Sequence, residues 1–476
     1  MSDSQPAQLT RVMGKTDVIA LAFGAMIGFG WIVLTGDFLS SAGTLGSALA
    51  FVIGGFIIML VGLTYAELVA AMPHVGGEHN YVLRAMGSWP AFFTSWMLVL
   101  GYVSVVAFEA VALPHSMSFL VPDLMTGYLW TIAGYDVYAV WVAVGVLGSV
   151  LITVLNVIGV RPAAVFQTIA VVFLLAVGAT MIFGSFVGGS LENMEPLFTG
   201  GMAGLIAVLV ATPFLFVGFD VIPQSAEEIN LPKKRIGQLL IASVIMAVVW
   251  YVMVMLTVGS SLPAAELAAS DLAAADGVSA LWNSELMGQI LVIGGIAGIL
   301  TSWNGFMVGA SRLVFAMARS GMLPAWFGRL HPKFRTPANA VVFIGGLSVL
   351  APFFGRPALV WFVDAGGLSI ITAFLMVSLT FLVLRKREPN MERPFRTPAG
   401  PLVGGAAVVL SAGLGLLYLP GMPAALVWPA EWLIVGTWVL LGIIFMVRIP
   451  RISYGPNAEH ELMVAAGKNP DELLTS

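Results

Sequence analysis

Long apolar stretches alternate with short polar segments along almost the whole chain. Each stretch is close to the roughly 20 mostly apolar residues that a helix needs to cross the hydrocarbon core of a bilayer. Turn residues mark the ends of the stretches. We predict twelve membrane-spanning helices, numbered spans 1 to 12, over residues 17–41, 46–72, 89–120, 137–158, 162–187, 202–229, 236–260, 287–318, 338–354, 357–384, 402–419 and 431–447.

The composition agrees with a lipid environment. Hydrophobic residues make up 59% of the 476 positions and charged residues 10%, whereas soluble domains carry about 25% charged residues. Too few polar side chains remain to cover a soluble globule, which excludes a soluble enzyme and a nucleic-acid-binding protein. Cysteine is absent from the sequence, which excludes disulfides and thiolate metal sites. We expect an all-α integral membrane protein that is not an enzyme and holds no resident cofactor.

The distribution of Lys and Arg predicts the orientation of the chain. Cytoplasmic loops of membrane proteins carry an excess of these residues. If the N-terminus is cytoplasmic, Arg356 alone of the 21 Lys and Arg residues falls on the outer side. We therefore predict a multi-pass protein of the cell inner membrane with both termini in the cytoplasm. Residues 1–16 form a cytoplasmic segment without the apolar core of a signal peptide, and residues 450–476 form a cytoplasmic tail.

Glycine interrupts two spans at matching places. Span 1 reads Gly24-Ala-Met-Ile-Gly-Phe-Gly30, and span 6 reads Pro213-Phe-Leu-Phe-Val-Gly-Phe-Asp220. Clustered Gly, or Pro with Gly, favours local unwinding where the freed backbone groups find polar partners. The two breaks lie five spans apart, the offset expected when residues 17–187 and 202–384 are inverted repeats. The alternative for either break alone is glycine that serves only close helix packing.

The predicted fold is therefore a 5+5 inverted repeat of transmembrane helices with broken helices 1 and 6, plus two extra helices over residues 402–447. Matched breaks of this kind indicate a transporter site near the middle of the bilayer. The N–H groups of a half-helix attract a carboxylate, and its exposed carbonyls attract an ammonium. An amino acid carries both groups. The candidate substrate-binding residues at the breaks are Ala25, Met26, Ile27, Gly28, Phe29, Gly30, Phe214, Phe216, Gly218 and Phe219.

Ionisable residues inside spans are costly in lipid and are therefore candidates for function. Glu109 in span 3 could bind a substrate ammonium, carry a proton or pair with a buried polar group. Asp220 directly follows the break in span 6, where it could switch protonation during gating or cap the second half-helix. Asp364 and Gln224 are weaker candidates and are interpreted as structural.

Acidic and basic residues are expected to meet at the cytoplasmic ends of spans 6 and 8. Glu227 and Glu228 lie at the end of span 6, and Arg312 and Arg319 lie at the end of span 8. Ion pairs between these residues could close the cytoplasmic exit. The alternative is a solvated basic rim, in which such pairs contribute little.

Several stretches along residues 15–400 resemble, in the right order, the amino acid–polyamine–organocation (APC) permeases, which share the LeuT-type fold. Phe29 replaces the usual small hydroxyl residue of the first of these motifs. The matching stretches are Gly24–Gly30, Pro73–Tyr81, Phe214–Asp220 with Ala226–Pro232, and Ser311–Pro324 with Thr336-Pro337. The resemblance implies a secondary transporter for amino acids that works by alternating access with ion-coupled uptake.

A polyamine or small-amine transporter or exchanger is the alternative function. A polyamine lacks a carboxylate, so it would need acidic residues along its path, and Glu109 and Asp220 could supply them. In either case the partners are a small-molecule substrate and the lipid bilayer, with no nucleic acid. Spans 11 and 12 lie outside the inverted repeat and are candidates for the contacts of a homodimer.

The resemblance also implies a site for a coupling ion. In this fold a Na⁺ ion lies between the break in span 1 and span 8. By motif alignment its ligands are three backbone carbonyls and two hydroxyls, those of Gly24, Ile27, Gly298, Thr301 and Ser302. The alternative is that the hydroxyls bond back to the preceding turn of their own helix.

Proton-coupled relatives often carry a Lys in span 5 whose ammonium takes the place of that ion. Here the matching position is near Leu174, and span 5 contains no Lys or Arg between Phe166 and Phe186. Na⁺ therefore becomes a candidate coupling ion. A proton carried by Glu109 or Asp220, and exchange without an ion, remain open.

Overall fold

The computed structural model describes residues 11–28, 30–422 and 424–467, apart from the side chains of Pro122 and Val160. Within these residues the chain is mostly helical. In chain order the helices are α1 Lys15–Met26, α2 Gly30–Val33, α3 Thr35–Ala42, α4 Thr44–Ala71, α5 Glu78–Met86, α6 Ser88–Leu120, α7 Ala139–Ile158, α8 Val160–Gly188, α9 Gly201–Phe216, α10 Val221–Gln224, α11 Lys233–Gly259, α12 Ala264–Ala269, α13 Ala273–Trp282, α14 Glu285–Arg319, α15 Ala338–Leu350, α16 Ala358–Arg387, α17 Gly400–Leu416, α18 Ala430–Met446 and α19 Ala458–Ala465.

Eight helical segments in the described part of the chain are long and apolar enough to cross a membrane. They are α4, α6, α7, α8, α9 together with α10, α11, α14 and α16. Shorter apolar helices lie at 338–354, 400–416 and 430–446, where the remaining late spans are predicted. These helices agree with the predicted all-α membrane architecture.

The centre of the molecule is built around α6 and α14. The most apolar window of α6 is wholly buried, and α6 packs against α14 and α16, while α4 packs along α11. Small residues let these helices approach closely, as is usual for helices in membranes. A Cβ added to Gly101 of α6 would lie 2.6 Å from the Ile370 side chain of α16. Many large apolar side chains of α7, α8, α17 and α18 are exposed and suit contact with lipid, as for Ile169 and Leu402.

A β-hairpin interrupts the helices between α6 and α7. Strand β1, Tyr128–Ile132, pairs antiparallel with β2, Tyr135–Tyr138. Ala133 and Gly134 both have positive φ, as the favoured two-residue hairpin turn requires. The prediction that span 4 begins at residue 137 is therefore wrong by two residues, because Val137 belongs to β2 and α7 begins at Ala139.

Several polar segments lie together on one face of the molecule, which we call the terminal face. It comprises residues 11–14, 72–87, 225–233, 319–337, 385–399 and 447–467. Hydrogen bonds join these segments: Arg84 binds Glu388 (2.6 Å, Nη2 to Oε2), and Gly455 donates its N–H to the carbonyl of Arg84 (2.9 Å). Both described ends of the chain therefore reach the same face.

Candidate functional site

Two interrupted helices touch each other near the centre of the molecule. α1 ends at Met26 and the helix resumes at Gly30, whereas α9 ends at Phe216 and α10 begins at Val221. A Cβ added to Gly218 would lie 2.8 Å from the backbone N of Met26, and its φ of 131° is unfavourable for other residues. The first break starts later than the motif predicts, because Gly24 to Met26 remain helical.

Tyr251 of α11 holds the two broken helices together. Its buried hydroxyl lies 2.9 Å from the carbonyl oxygen of Met26 and 3.2 Å from that of Leu215. These carbonyls belong to the last turns of α1 and α9, where helical hydrogen bonds are missing. The sequence analysis missed Tyr251. The one available signal was that a tyrosine hydroxyl in an apolar span needs a hydrogen-bond partner.

A small cavity of about 20 Å³ lies where the breaks meet. Its walls come from both broken helices and from α6, α11 and α14: Ala25, Met26, Gly28, Gly30, Val105, Phe108, Glu109, Phe214, Leu215, Tyr251, Ser302 and Phe306. A cavity of this size holds about one water molecule. The site is therefore closed in this conformation and must enlarge before it admits a metabolite.

The structure brings part of the predicted substrate-binding set into this cavity. Six residues of the predicted set line the wall of the cavity: Ala25, Met26, Gly28, Gly30, Phe214 and Glu109. Phe29 lies outside the described residues. Gly218 acts as the spacer between the two breaks rather than as part of the wall.

Three other predicted residues pack behind the cavity. The carbonyl oxygen of Ile27 faces Gly298 of α14. Phe216 packs edge-on against Tyr251, with ring centroids 5.3 Å apart. Phe219 packs against Phe374, also at 5.3 Å.

Glu109 reaches from α6 to the break in α1. Its side chain is 1% exposed, and its Oε1 occupies the space that a Cβ on Gly28 would need. The hydroxyl of Ser302 lies 2.9 Å from the same Cβ position. Only a glycine at position 28 therefore leaves room for both polar groups beside the unwound backbone.

The residues of the predicted Na⁺ site also lie near one another. A Cβ on Gly24 would be 3.0 Å from the Thr301 Cβ, and one on Gly298 would be 2.9 Å from the Ile27 carbonyl oxygen. The Thr301 hydroxyl donates to the Gly298 carbonyl at 2.9 Å, which is the back-bonding weighed as the alternative. The structure thus places these residues close together and shows the local hydrogen bond of the alternative.

A chain of buried amides borders this region. Gln167 of α8 donates to the carbonyls of Thr301 (3.0 Å) and Ala20 (3.2 Å). Asn304 donates to Gln167 (2.9 Å), and Asn156 donates to Asn304 (2.9 Å). The Gln167 amide nitrogen would lie 2.5 Å from a Cβ on Gly24. The sequence analysis followed charged residues in span 5 and overlooked this neutral donor beside the break.

Asp220 is fully buried after the second break. It occupies the position before α10, but its carboxylate turns back and accepts the N–H of Gly218 at 2.8 Å. No capping bond to α10 is present among the described residues. Asp220 therefore occupies the predicted N-cap position of α10, but its side chain does not make the predicted capping hydrogen bond. Asp220 stabilises the backbone of the break itself.

A buried ion pair joins the segment that follows α10 to α14. Arg312 Nη2 lies 3.0 Å from Glu228 Oε1, and the two side chains are 1% and 0% exposed. The prediction of an ion pair is confirmed for these residues, and the alternative of a solvated rim is wrong for them. Glu227 instead accepts the N–H of Val75 at 3.0 Å.

Broken helices around a small buried cavity, within a bundle of long apolar helices, define a multi-pass membrane transporter. A family model described as "Amino acid permease" matches residues 17–449. The chain belongs to the amino acid permease family, and the resemblance to APC permeases is confirmed.

Known relatives match most of the chain. The chain is 28% identical to the methylthioribose transporter of Bacillus subtilis, over 93% of this chain and 94% of the relative. It is 28% identical to the branched-chain amino acid permease BcaP of the same organism, over 84% and 86%. It is 25% identical to the aspartate-proton symporter of that organism, over 86% and 79%. These relatives are transporters rather than enzymes.

Proposed function

We propose that the protein carries a neutral amino acid with an apolar side chain across the membrane, by alternating access and together with a proton. The observation that carries this proposal is the central cavity formed by both helix breaks, with a single acidic side chain in its wall. Transport of amino acids is the common activity of the family. The substrate class and the coupling ion are our inferences from this site.

The wall of the cavity supports a neutral zwitterion. Glu109 is the one acidic residue in its described lining, and the other large side chains there are apolar or aromatic. An amino acid offers one ammonium for Glu109 or the carbonyls of α1, and one carboxylate for the N–H groups at the start of α2. A polyamine carries several ammonium groups and would leave at least one without a countercharge.

The topology that we propose is the twelve-span arrangement predicted from hydropathy. The two contacting breaks support an inverted repeat of residues 17–187 and 202–384. The terminal face carries most of the described Lys and Arg residues, which supports a cytoplasmic location for it and for both termini, in a cell inner membrane. A homodimer through spans 11 and 12 stays a prediction.

Protons are the coupling ion that the buried groups favour. Glu109 and Asp220 lie next to the two breaks, and both side chains are buried. A buried carboxyl group of this kind is neutralised most readily by binding a proton. Two of the predicted Na⁺ ligands are already bonded to each other, because the Thr301 hydroxyl donates to the Gly298 carbonyl. Na⁺ at Gly24, Ile27, Gly298, Thr301 and Ser302 is the alternative.

Uptake into proteoliposomes tests the proposal. The labelled panel contains leucine, valine, aspartate, lysine, spermidine and methylthioribose, and gradients of H⁺ and Na⁺ are imposed separately. We expect saturable uptake of leucine or valine that responds to the pH gradient. Spermidine uptake without amino acid uptake would establish the amine alternative. Uptake of methylthioribose alone would establish a neutral, uncharged substrate and overturn the assignment of a zwitterion.

A further inference from the structure

The first turn of α5 is held against the half-helix α10. Glu78 opens α5 and is 0% exposed, and the side-chain amide of Gln224 donates a hydrogen bond to its Oε2. Gly77 lies directly against Pro223, where an added Cβ would be 2.6 Å from the proline Cβ. A carboxyl group on a loop helix is thereby buried against the segment that follows the second break.

The groups that surround Glu78 are titratable but not cationic. Tyr65 comes from α4, Tyr81 from α5 and Tyr102 from α6, and Asp220 comes from the second break; all four are fully buried. The hydroxyl of Tyr81 and the side-chain oxygen of Gln224 are buried and have no hydrogen-bond partner in the described part of the chain. The cluster around Glu78 therefore holds buried polar atoms that hydrogen bonds within the described residues do not satisfy.

The cations near α5 are committed to other partners. Arg312 of α14 pairs with Glu228, Arg84 of α5 pairs with Glu388, and Arg387 of α16 donates to the carbonyl of Ala85 at 2.8 Å. His79, the next residue in α5, is buried, and burial lowers its pKa to about 4. It is therefore neutral at physiological pH and supplies no countercharge to Glu78.

Glu78 and Asp220 are both fully buried in this cluster, and both cannot be ionised at low cost. Burial, followed by the nearby charge of Asp220, raises the pKa of Glu78 well above its ordinary value. Like charges in a site without a cation favour a state in which one group keeps a proton. Among the described residues Arg312 pairs with Glu228, whereas the surroundings of Glu78 favour its protonated form.

We propose that Glu78 is a proton-binding site of the transport cycle. While α5 is seated on α10, Glu78 and Asp220 hold a proton between them. When the terminal face opens, α10 separates from α5, Glu78 meets water, and the proton leaves to that water. Closing the face requires Glu78 to bind a proton again. This proposal rests on the proposed proton-coupled transport. It adds Glu78, in the loop after span 2, to the residues that would carry the proton.

The test compares net uptake with exchange in proteoliposomes, using leucine as the probe and a pH-sensitive dye inside the vesicles. Glu78→Gln mimics the protonated group but cannot release a proton. We expect this variant to keep leucine–leucine exchange and to lose both uptake driven by a pH gradient and the dye signal that accompanies leucine. Glu227→Gln, a carboxylate on the same face that binds a backbone N–H, is the matched control and should keep all three.

A second variant separates proton binding from a structural role. Glu78→Asp retains a titratable group and should restore gradient-driven uptake with an altered pH dependence. An unchanged dye signal in Glu78→Gln would overturn the proposal, and so would equal loss of exchange in both variants. Wild-type leucine uptake without any dye signal would instead overturn the proposed proton coupling itself. The two failures are therefore distinguishable.

Discussion

Two buried carboxyl groups on the terminal face are neutralised in different ways. Glu228 is fully buried and lies 3.0 Å from the equally buried Arg312. Glu78 is buried to the same degree, but its neighbours among the described residues are phenols, an amide and a second carboxyl group. An ion pair is a fixed arrangement as long as its partners stay together. A protonated carboxyl group can release its proton to water and bind it again, so the second arrangement suits a transport cycle.

The largest effect is expected when the ion pair is broken from its basic side. Arg312→Leu leaves the Glu228 carboxylate buried without a cation, which costs about 3–5 kcal/mol. We expect a large loss of folded protein, measured as the thermal unfolding temperature in detergent and the yield of monodisperse protein. Normal stability in this variant would show that Glu228 is neutral and would remove the contrast with Glu78.

A large side chain in the first break should strongly reduce transport without preventing insertion. A Cβ at position 28 already meets Glu109 and Ser302, and overpacking of this kind costs roughly 1–3 kcal/mol. We expect Gly28→Leu to lower uptake roughly 10- to 100-fold, with normal expression as the control. Wild-type uptake by well-expressed Gly28→Leu protein would refute the assignment of the central cavity as the substrate site.

Glu109→Gln tests whether the carboxyl group in the cavity binds and releases a proton, as proposed for Glu78, or has a fixed structural role, as Glu228 does. The change keeps the shape and removes the charge. We expect uptake to fall roughly tenfold, the factor for about 1.4 kcal/mol, and its pH dependence to flatten. Uptake and pH dependence that both match the wild type would make Glu109 a structural partner. Loss of amine uptake with retained amino acid uptake would favour the amine alternative.

Removal of both hydroxyls at the predicted Na⁺ site should have a smaller effect. Thr301→Val combined with Ser302→Ala deletes two oxygen atoms and nearly conserves volume. With proton coupling, we expect uptake to stay within about threefold of wild type, since each hydroxyl bond contributes about 1 kcal/mol or less. Saturable Na⁺ stimulation in the wild type that is lost in the double variant would instead establish the Na⁺ site.

The smallest expected effect concerns a third carboxyl group on the terminal face. Burial raises the pKa of Glu459 in α19, while Arg319 opposes this shift and Glu227 adds to it. A raised folded-state pKa stabilises the docked helix at pH values below the ordinary pKa and loses that contribution as pH rises through the folded value. We expect hydrogen exchange of α19 to quicken with rising pH beyond its intrinsic rate. Glu459→Gln should remove this pH dependence.

The sequence predicted the helices and the breaks well because both leave local signals. Apolar stretches mark the spans, and the glycines near Gly28 and Gly218 mark the two places where backbone contacts backbone. The five-span offset between the breaks predicted an inverted repeat, in which the two breaks meet at one central site. The ion pair of Glu228 and Arg312 was also anticipated, since charge near the end of a span is easily seen.

Other parts of the site carried no such signal. Tyr251 and Gln167 are neutral residues in apolar helices, and their partners lie far away in the chain, so neither spacing nor charge reveals them. Glu78 stood within the Pro73–Tyr81 motif, but a loop carboxylate is ordinarily solvated. Its burial depends on the packing of α5 against α10. That long-range packing could not be read from one sequence.

A single parallel β-bridge joins Met13 to Ile229, near the start of the described residues, and it limits how α1 can move. The N–H groups of Val12 and Met13 both lie 3.0 Å from the carbonyl oxygen of Glu228, and Asn230 donates to Met13 at 2.9 Å. α1 is thus fastened to the second broken helix twice, here and again where Gly218 meets Met26. Contacts at both ends of α1 prevent it from moving independently of the second broken helix. The half-helices α1 and α10 should therefore move together as one rigid unit. A flexible insertion before Gly14 would remove one of the two contacts that couple them.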